Sequence, residues 1–108
     1  MAMDISVDIY QLTMSFPSAE IYGLTNQIRR ASNSVSLNIA EGHGRKSTKS
    51  YINFLHIALG SLNELESGIL LSVRLGFAGE EDINKISKMI SEESKMLYAL
   101  ISKLESKQ

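Results

Sequence analysis

A chain of 108 residues with 44% apolar content can build one continuous core and leaves no room for a second domain. Its 21% charged residues and net charge of −1 point neither to disorder nor to a wholly basic nucleic-acid binder. The absence of cysteine excludes disulfides, thiolate metal sites and a thiol nucleophile; Met1–Asp8 carries acids where a secretory signal would carry bases, and no run approaches the roughly 18 apolar residues that span a bilayer, so a cytoplasmic location without a membrane partner is expected.

Ile5, Ile9, Leu12 and Phe16 line one face of a first helix, over about 4–15, that ends at the only proline, Pro17. Pro17 suits the first turn of a second helix over about 18–42, where Glu20 would face the positive end of the dipole. Leu24, Ile28, Ala31, Val35 and Ile39 form its apolar stripe, and Gly42 and Gly44 are read as its stop. Ser47 is the expected N-cap of a third helix over about 47–75, with Tyr51, Leu55, Ala58, Leu62, Leu65 and Ile69 repeating at helical spacing. Gly76 followed by Phe77 reads as a Schellman ending. Glu80, Glu81 and Asp82 open a fourth helix, over about 80–106, that buries Ile83, Ile86, Ile90, Leu97, Leu100 and Leu104, with Met89 and Met96 as core fillers.

No sustained period-two alternation suggests a strand, and the connections are short. The expected fold is an all-α, up-and-down antiparallel four-helix bundle formed by residues 1–108 as one domain, with a shortened first helix. The short helix would leave part of a groove uncovered beside the Gly42–Ser47 connection and the C-terminal end, which implies self-association or a partner.

Charge is unevenly placed. Between Asn26 and Ser50, Arg29, Arg30, Arg45, Lys46 and Lys49 stand against Glu41 alone, whereas the remainder carries six bases and eleven acids. Together with Asn26, Gln27, Asn33 and Asn38, these residues suggest a surface for RNA or DNA, with the bases on phosphates. The competing reading is an interhelical or intersubunit polar network of Asn38, Glu41, Glu64 and Glu66, with Arg30 paired to Glu64 or Glu66. Gly42-His43-Gly44-Arg45-Lys46-Ser47 can likewise be an anion cradle or an ordinary turn with solvated bases.

Catalysis finds no constellation. His43 follows Ala40, and His56 follows Asn53, at the spacing where a bundle di-metal site needs Glu-x-x-His, so neither a metal nor another cofactor is expected. His56 fits a bundle or interface position better than a ligand position. Glu64 and Glu66, two apart on a helix, point to different faces.

Tyr22-Gly23-Leu24-Thr25-Asn26-Gln27-Ile28-Arg29-Arg30-Ala31, Asn38-Ile39-Ala40-Glu41-Gly42 with Gly44-Arg45, Phe54-Leu55, Ile57-Ala58 and Gly60-Ser61-Leu62-Asn63-Glu64-Leu65-Glu66 resemble the bacterial four-helix-bundle proteins linked to intervening sequences in 23S ribosomal RNA genes. The resemblance extends to Phe16-Pro17, Glu20, Leu75-Gly76-Phe77 and Lys95-Met96-Leu97, nearly the whole chain. It implies an up-and-down bundle without enzymatic activity that assembles into a homo-oligomeric ring of five. The accessory variability determinant proteins of diversity-generating retroelements are similar, and they bind nucleic acid and a reverse transcriptase. The partners to expect are therefore further copies of the chain, RNA or DNA, or a protein encoded nearby. This sequence departs from the family pattern at Ser36, where proline is common, in its shorter first helix, and in lacking the strongly basic charge of the retroelement relatives.

Overall fold

The computed structural model describes residues 1–107. It contains α1 (Ala2–Thr13), a 3-10 turn (Ser18–Glu20), α2 (Leu24–His43), α3 (Thr48–Arg74) and α4 (Glu80–Glu105). Each helix packs on its neighbour in sequence and α1 closes the square against α4, while the diagonal pairs stay apart. This is the expected up-and-down bundle. Ile5, Ile9, Ile28, Val35, Leu55, Leu62, Leu65 and Ile69 form its fully buried centre.

The first connection differs from the sequence expectation. Helix two does not begin at Ser18: Pro17 opens only the 3-10 turn, and α2 starts after Gly23, whose backbone (φ −108°, ψ −115°) is not helical. Glu20 reaches forward and accepts a hydrogen bond from the Leu24 backbone N–H at 3.2 Å. Its carboxylate therefore occupies the positive end of the α2 dipole from outside the helix.

The other ends follow from their local chemistry. Ser47 Oγ accepts from the Ser50 N–H at 3.0 Å and caps α3. At its far end Gly76 takes φ +80°, and the Phe77 N–H donates to the Ser72 carbonyl at 2.9 Å, which completes the Schellman turn. Phe77 thereby folds back to meet Phe16, ring centroids 5.7 Å apart. Asp82 accepts from the Gly79 N–H at 2.8 Å and starts α4.

Gly42 is not a helix stop. It is buried within α2, where an added Cβ would stand 2.8 Å from Phe54 Cβ and 3.0 Å from Tyr51 Cδ1. Gly68 of α3 admits Ile28 of α2 in the same way, its notional Cβ 2.8 Å from Ile28 Cγ1. These two glycines let α2 and α3 approach closely at both ends of their contact, the most extensive in the bundle. α2 also runs unbroken through Ser36.

With 12 residues α1 is about 18 Å long, whereas α3 and α4, with 27 and 26, reach about 40 Å. The first turn of α1 meets α2 and α4 around Ala40, His43, Glu93 and Met96, so the last turns of α4 extend beyond it. Met96 is consequently exposed rather than a core filler, and Met89 is half-buried.

Candidate nucleic-acid interface

The polar residues of α2 divide between two neighbours. Arg29 faces α1: its Nε donates to Thr13 Oγ1 at 2.8 Å and its guanidinium lies 4.7 Å from the centre of the Tyr10 ring. Asn33 donates to the Tyr10 hydroxyl at 3.0 Å. Arg29 is thus half-buried and engaged in fastening α1. Its guanidinium is turned toward α1 and away from the exposed α2/α3 side that carries Arg30.

Arg30, Ser34 and Asn38 recur every four residues and turn toward α3 instead. Asn38 Nδ2 donates to the Ser34 carbonyl (2.8 Å) and hydroxyl (2.9 Å), and Ser61 of α3 donates to that hydroxyl at 2.9 Å. Arg30 is exposed at the top of this ladder, in a groove of about 690 Å³ shared with Tyr22, Glu64, Leu71 and Leu75. It forms no ion pair with Glu64 or Glu66 among the described residues. Glu66 points toward α4, where it accepts from Ser87 at 3.4 Å. Within the subunit, Asn38, Glu41 and Glu66 make separate contacts and Glu64 borders the Arg30 groove, so these residues form no single interhelical network among the described residues.

At the lower end of the α2/α3 face, Arg45 pairs with Glu41 and stacks over Phe54, 4.8 Å from its centre. Arg45, Lys46 and Lys49 are all exposed around the start of α3. Ser47 already satisfies one of the free N–H groups there, and Gly42 is withdrawn into the helix contact, so the six-residue Gly42–Ser47 cradle reduces to an exposed turn carrying Arg45 and Lys46, with Lys49 following in the first turn of α3. His56 is exposed on α3.

One buried residue escaped the sequence reading. Glu93 occupies the heptad-like ladder Ile83, Ile86, Ile90, Glu93, Leu97 and is only 5% exposed. Its Oε2 has no hydrogen-bond partner among the described residues, and burial pushes its carboxyl above the ordinary range, an effect opposed by the Met1 amino group. The seven-residue gap between Ile90 and Leu97 in the apolar pattern was the available signal.

Residues 1–99 match the family described as 23S rRNA-intervening sequence protein. The chain belongs to that family. A crystal structure of a protein of unknown function from the S23 ribosomal protein family of Bacteroides thetaiotaomicron VPI-5482 is similar to it, with 27% identity and a TM-score of 0.82 over 93% of this chain and 94% of the other. Nothing among the curated proteins matches. Among the described residues no helix is long and apolar enough to cross a membrane.

Proposed function

We propose that this member of the 23S rRNA-intervening sequence family is a non-enzymatic, cytoplasmic homo-oligomer that binds RNA or another nucleic acid through Arg30, Arg45, Lys46 and Lys49. The observation that carries the reading is that these four cations are exposed along the α2/α3 side and that only Arg45 has a carboxylate partner among the described residues. Phosphates would supply the missing counter-charge.

Self-association is supported by two separated apolar patches. Met3, Val7 and Tyr10 are exposed on α1, with Met14 just past its end; Ile57, Leu70 and Leu71 are exposed on α3, the diagonal helix, with Leu75 just past its end. Leu71 and Leu75 border the Arg30 groove, so a joint there would leave Arg30 at its rim. Patches on opposite sides of one subunit join copies head to tail, an arrangement that closes into a ring when the rotation between copies allows it, and the sequence resemblance implies a ring of five. A ring repeats the basic patch and raises a weak affinity through avidity.

A protein scaffold is the second reading, favoured by the mixed lining of the Arg30 groove, where Leu71, Leu75 and the 92%-exposed Tyr22 accompany Glu64. Titrating fluorescent structured RNA at two salt concentrations, with light scattering on the same sample, separates the two. Four phosphate contacts give a log–log salt slope of roughly −3 to −4 per engaged subunit, shallower on single-stranded and steeper on paired regions of the RNA. Binding with that dependence, lost in Arg45→Ala/Lys46→Ala, supports the first reading; an oligomer indifferent to RNA supports the second.

A further inference from the structure

Where α1 runs out, its first turn, the last turn of α2, Tyr51 of α3 and the middle of α4 enclose an open cleft of about 520 Å³. That is within the range of small-molecule sites, roughly 300–1,000 Å³. Its walls are largely apolar, from Ala2, Ile39, Ala40 and Met96, and Tyr51 adds an aromatic ring held edge-on to His43 at 5.9 Å. Glu93 lines the same cleft as its one deeply buried charged side chain.

We infer that this cleft binds a small primary alkylammonium ion, with the Glu93 carboxylate as counter-ion and Tyr51 and Met96 as walls. Glu93 Oε2 is buried and unpartnered among the described residues, and an ionised carboxylate can only accept hydrogen bonds, so the occupant must be a donor and is best a cation. The other titratable groups of the cleft do not meet that need. The Met1 amino group acts on Glu93 only through space, because it is paired with Asp4 at 3.5 Å and makes no direct contact with the Glu93 carboxyl, and His43 and Tyr51 pack ring to ring. A compact metal ion fits poorly, since hard cations require about six oxygen ligands and the described residues hold no cluster of three metal-binding side chains. An anion would meet two carboxylates. The aliphatic walls select a ligand with an apolar body behind its ammonium group, and the Tyr51 ring offers a cation–π contact. Burial of Glu93 agrees with this: it holds the carboxyl above the ordinary range although the Met1 amino group opposes the shift, and a cation bound at the carboxylate would lower it further. None of Arg30, Arg45, Lys46 or Lys49 takes part, so the site stands or falls independently of nucleic-acid binding.

The test titrates the intact protein with n-butylammonium chloride and, separately, with its neutral counterpart 1-butanol, following amide and carboxyl NMR shifts. The expected result is saturable shifts at Glu93, Tyr51 and Met96, an affinity for the ammonium at least tenfold above that for the alcohol, and loss of that preference in the isosteric Glu93→Gln variant. In the wild-type protein the ammonium should also lower the midpoint of the Glu93 carboxyl titration, a readout that needs no variant. Equal affinities for ammonium and alcohol, shifts confined to surface carboxylates away from the cleft, or a Glu93 midpoint unmoved by ligand would overturn the assignment.

Discussion

Gly42 sits against Phe54 so closely that a methyl group on the glycine would lie 2.8 Å from the Phe54 Cβ. Two effects oppose each other in Gly42→Ala. Alanine in a helix interior gains about 0.5–1 kcal/mol over glycine, whereas forcing a methyl against a fixed Cβ costs about 1–3 kcal/mol. The clash wins because Phe54 Cβ cannot rotate away. Denaturant unfolding should show Gly42→Ala destabilised by about 1–2 kcal/mol, while Gly60→Ala, exposed on α3 with nothing within 4 Å of the new methyl, should gain up to about 1 kcal/mol. A gain at both positions would mean that α2 and α3 are farther apart than described.

Arg29 is expected to behave as a structural residue. Arg29→Ala removes a charge-assisted bond to Thr13 and a stacking contact on Tyr10, and should lower stability by about 1–3 kcal/mol, whereas Lys46→Ala should stay within about 0.5 kcal/mol of the wild type. Arg29→Lys should not restore stability, because lysine lacks the planar fork that bonds Thr13 while lying on the ring. Thermal melts of the three variants check the order. Unchanged melting of Arg29→Ala would return that residue to the candidate binding surface.

The two apolar patches make a test of assembly geometry. Val7→Glu and Leu71→Glu alter exposed positions, 54% and 47% accessible, so circular dichroism should be unchanged while light scattering reports loss of the oligomer in each. In a head-to-tail ring each variant keeps one intact face. Mixing the two should therefore produce heterodimers and nothing larger. A face that pairs with itself would instead leave one variant dimeric before mixing.

Glu93 makes stability depend on pH with a definite sign. Its folded pKa is raised above the ordinary carboxyl value of 4.5, so between those values the native state holds a proton that the unfolded state has lost. Stability then falls as pH climbs from about 4.5 through the folded midpoint, and the loss is complete above it. Glu93→Gln removes this dependence. The difference in unfolding free energy between Glu93→Gln and wild type should grow across that window and then level off, with the variant the more stable at neutral pH. A constant difference would show that Glu93 titrates normally in the fold.

Much of the architecture was legible locally. The ladders through Ile5 and Ile9, Leu24 to Val35, and Leu55 to Ile69 mark core faces because burial requires helical periodicity, and those residues are buried. Ser47, Gly76 and Asp82 act at helix ends because their hydrogen bonds reach only three to five residues along the chain. Helix two was started too early because Pro17 is compatible with both a 3-10 turn and an α-helix, and the choice fell to Gly23 and to the carboxylate of Glu20.

The candidate site was less legible. Charge counting found Arg29 and Arg30 together, but successive helical positions diverge by about 100°, so one turned to Tyr10 and the other to the α2/α3 groove. Composition could not separate Gly42, which marks contact with Phe54, from Gly44, which lies in the turn.

By itself, then, the sequence determined four amphipathic helices, their order, most of their ends and the concentration of bases between Asn26 and Ser50, because these depend on interactions within a few residues. Only the tertiary structure decided that Arg29 anchors α1, that Glu66 faces α4 rather than Arg30, and that Glu93 is enclosed without a partner. Those outcomes depend on which helix stands opposite each side chain and how far α1 reaches, and helix packing sets both across residues distant in sequence.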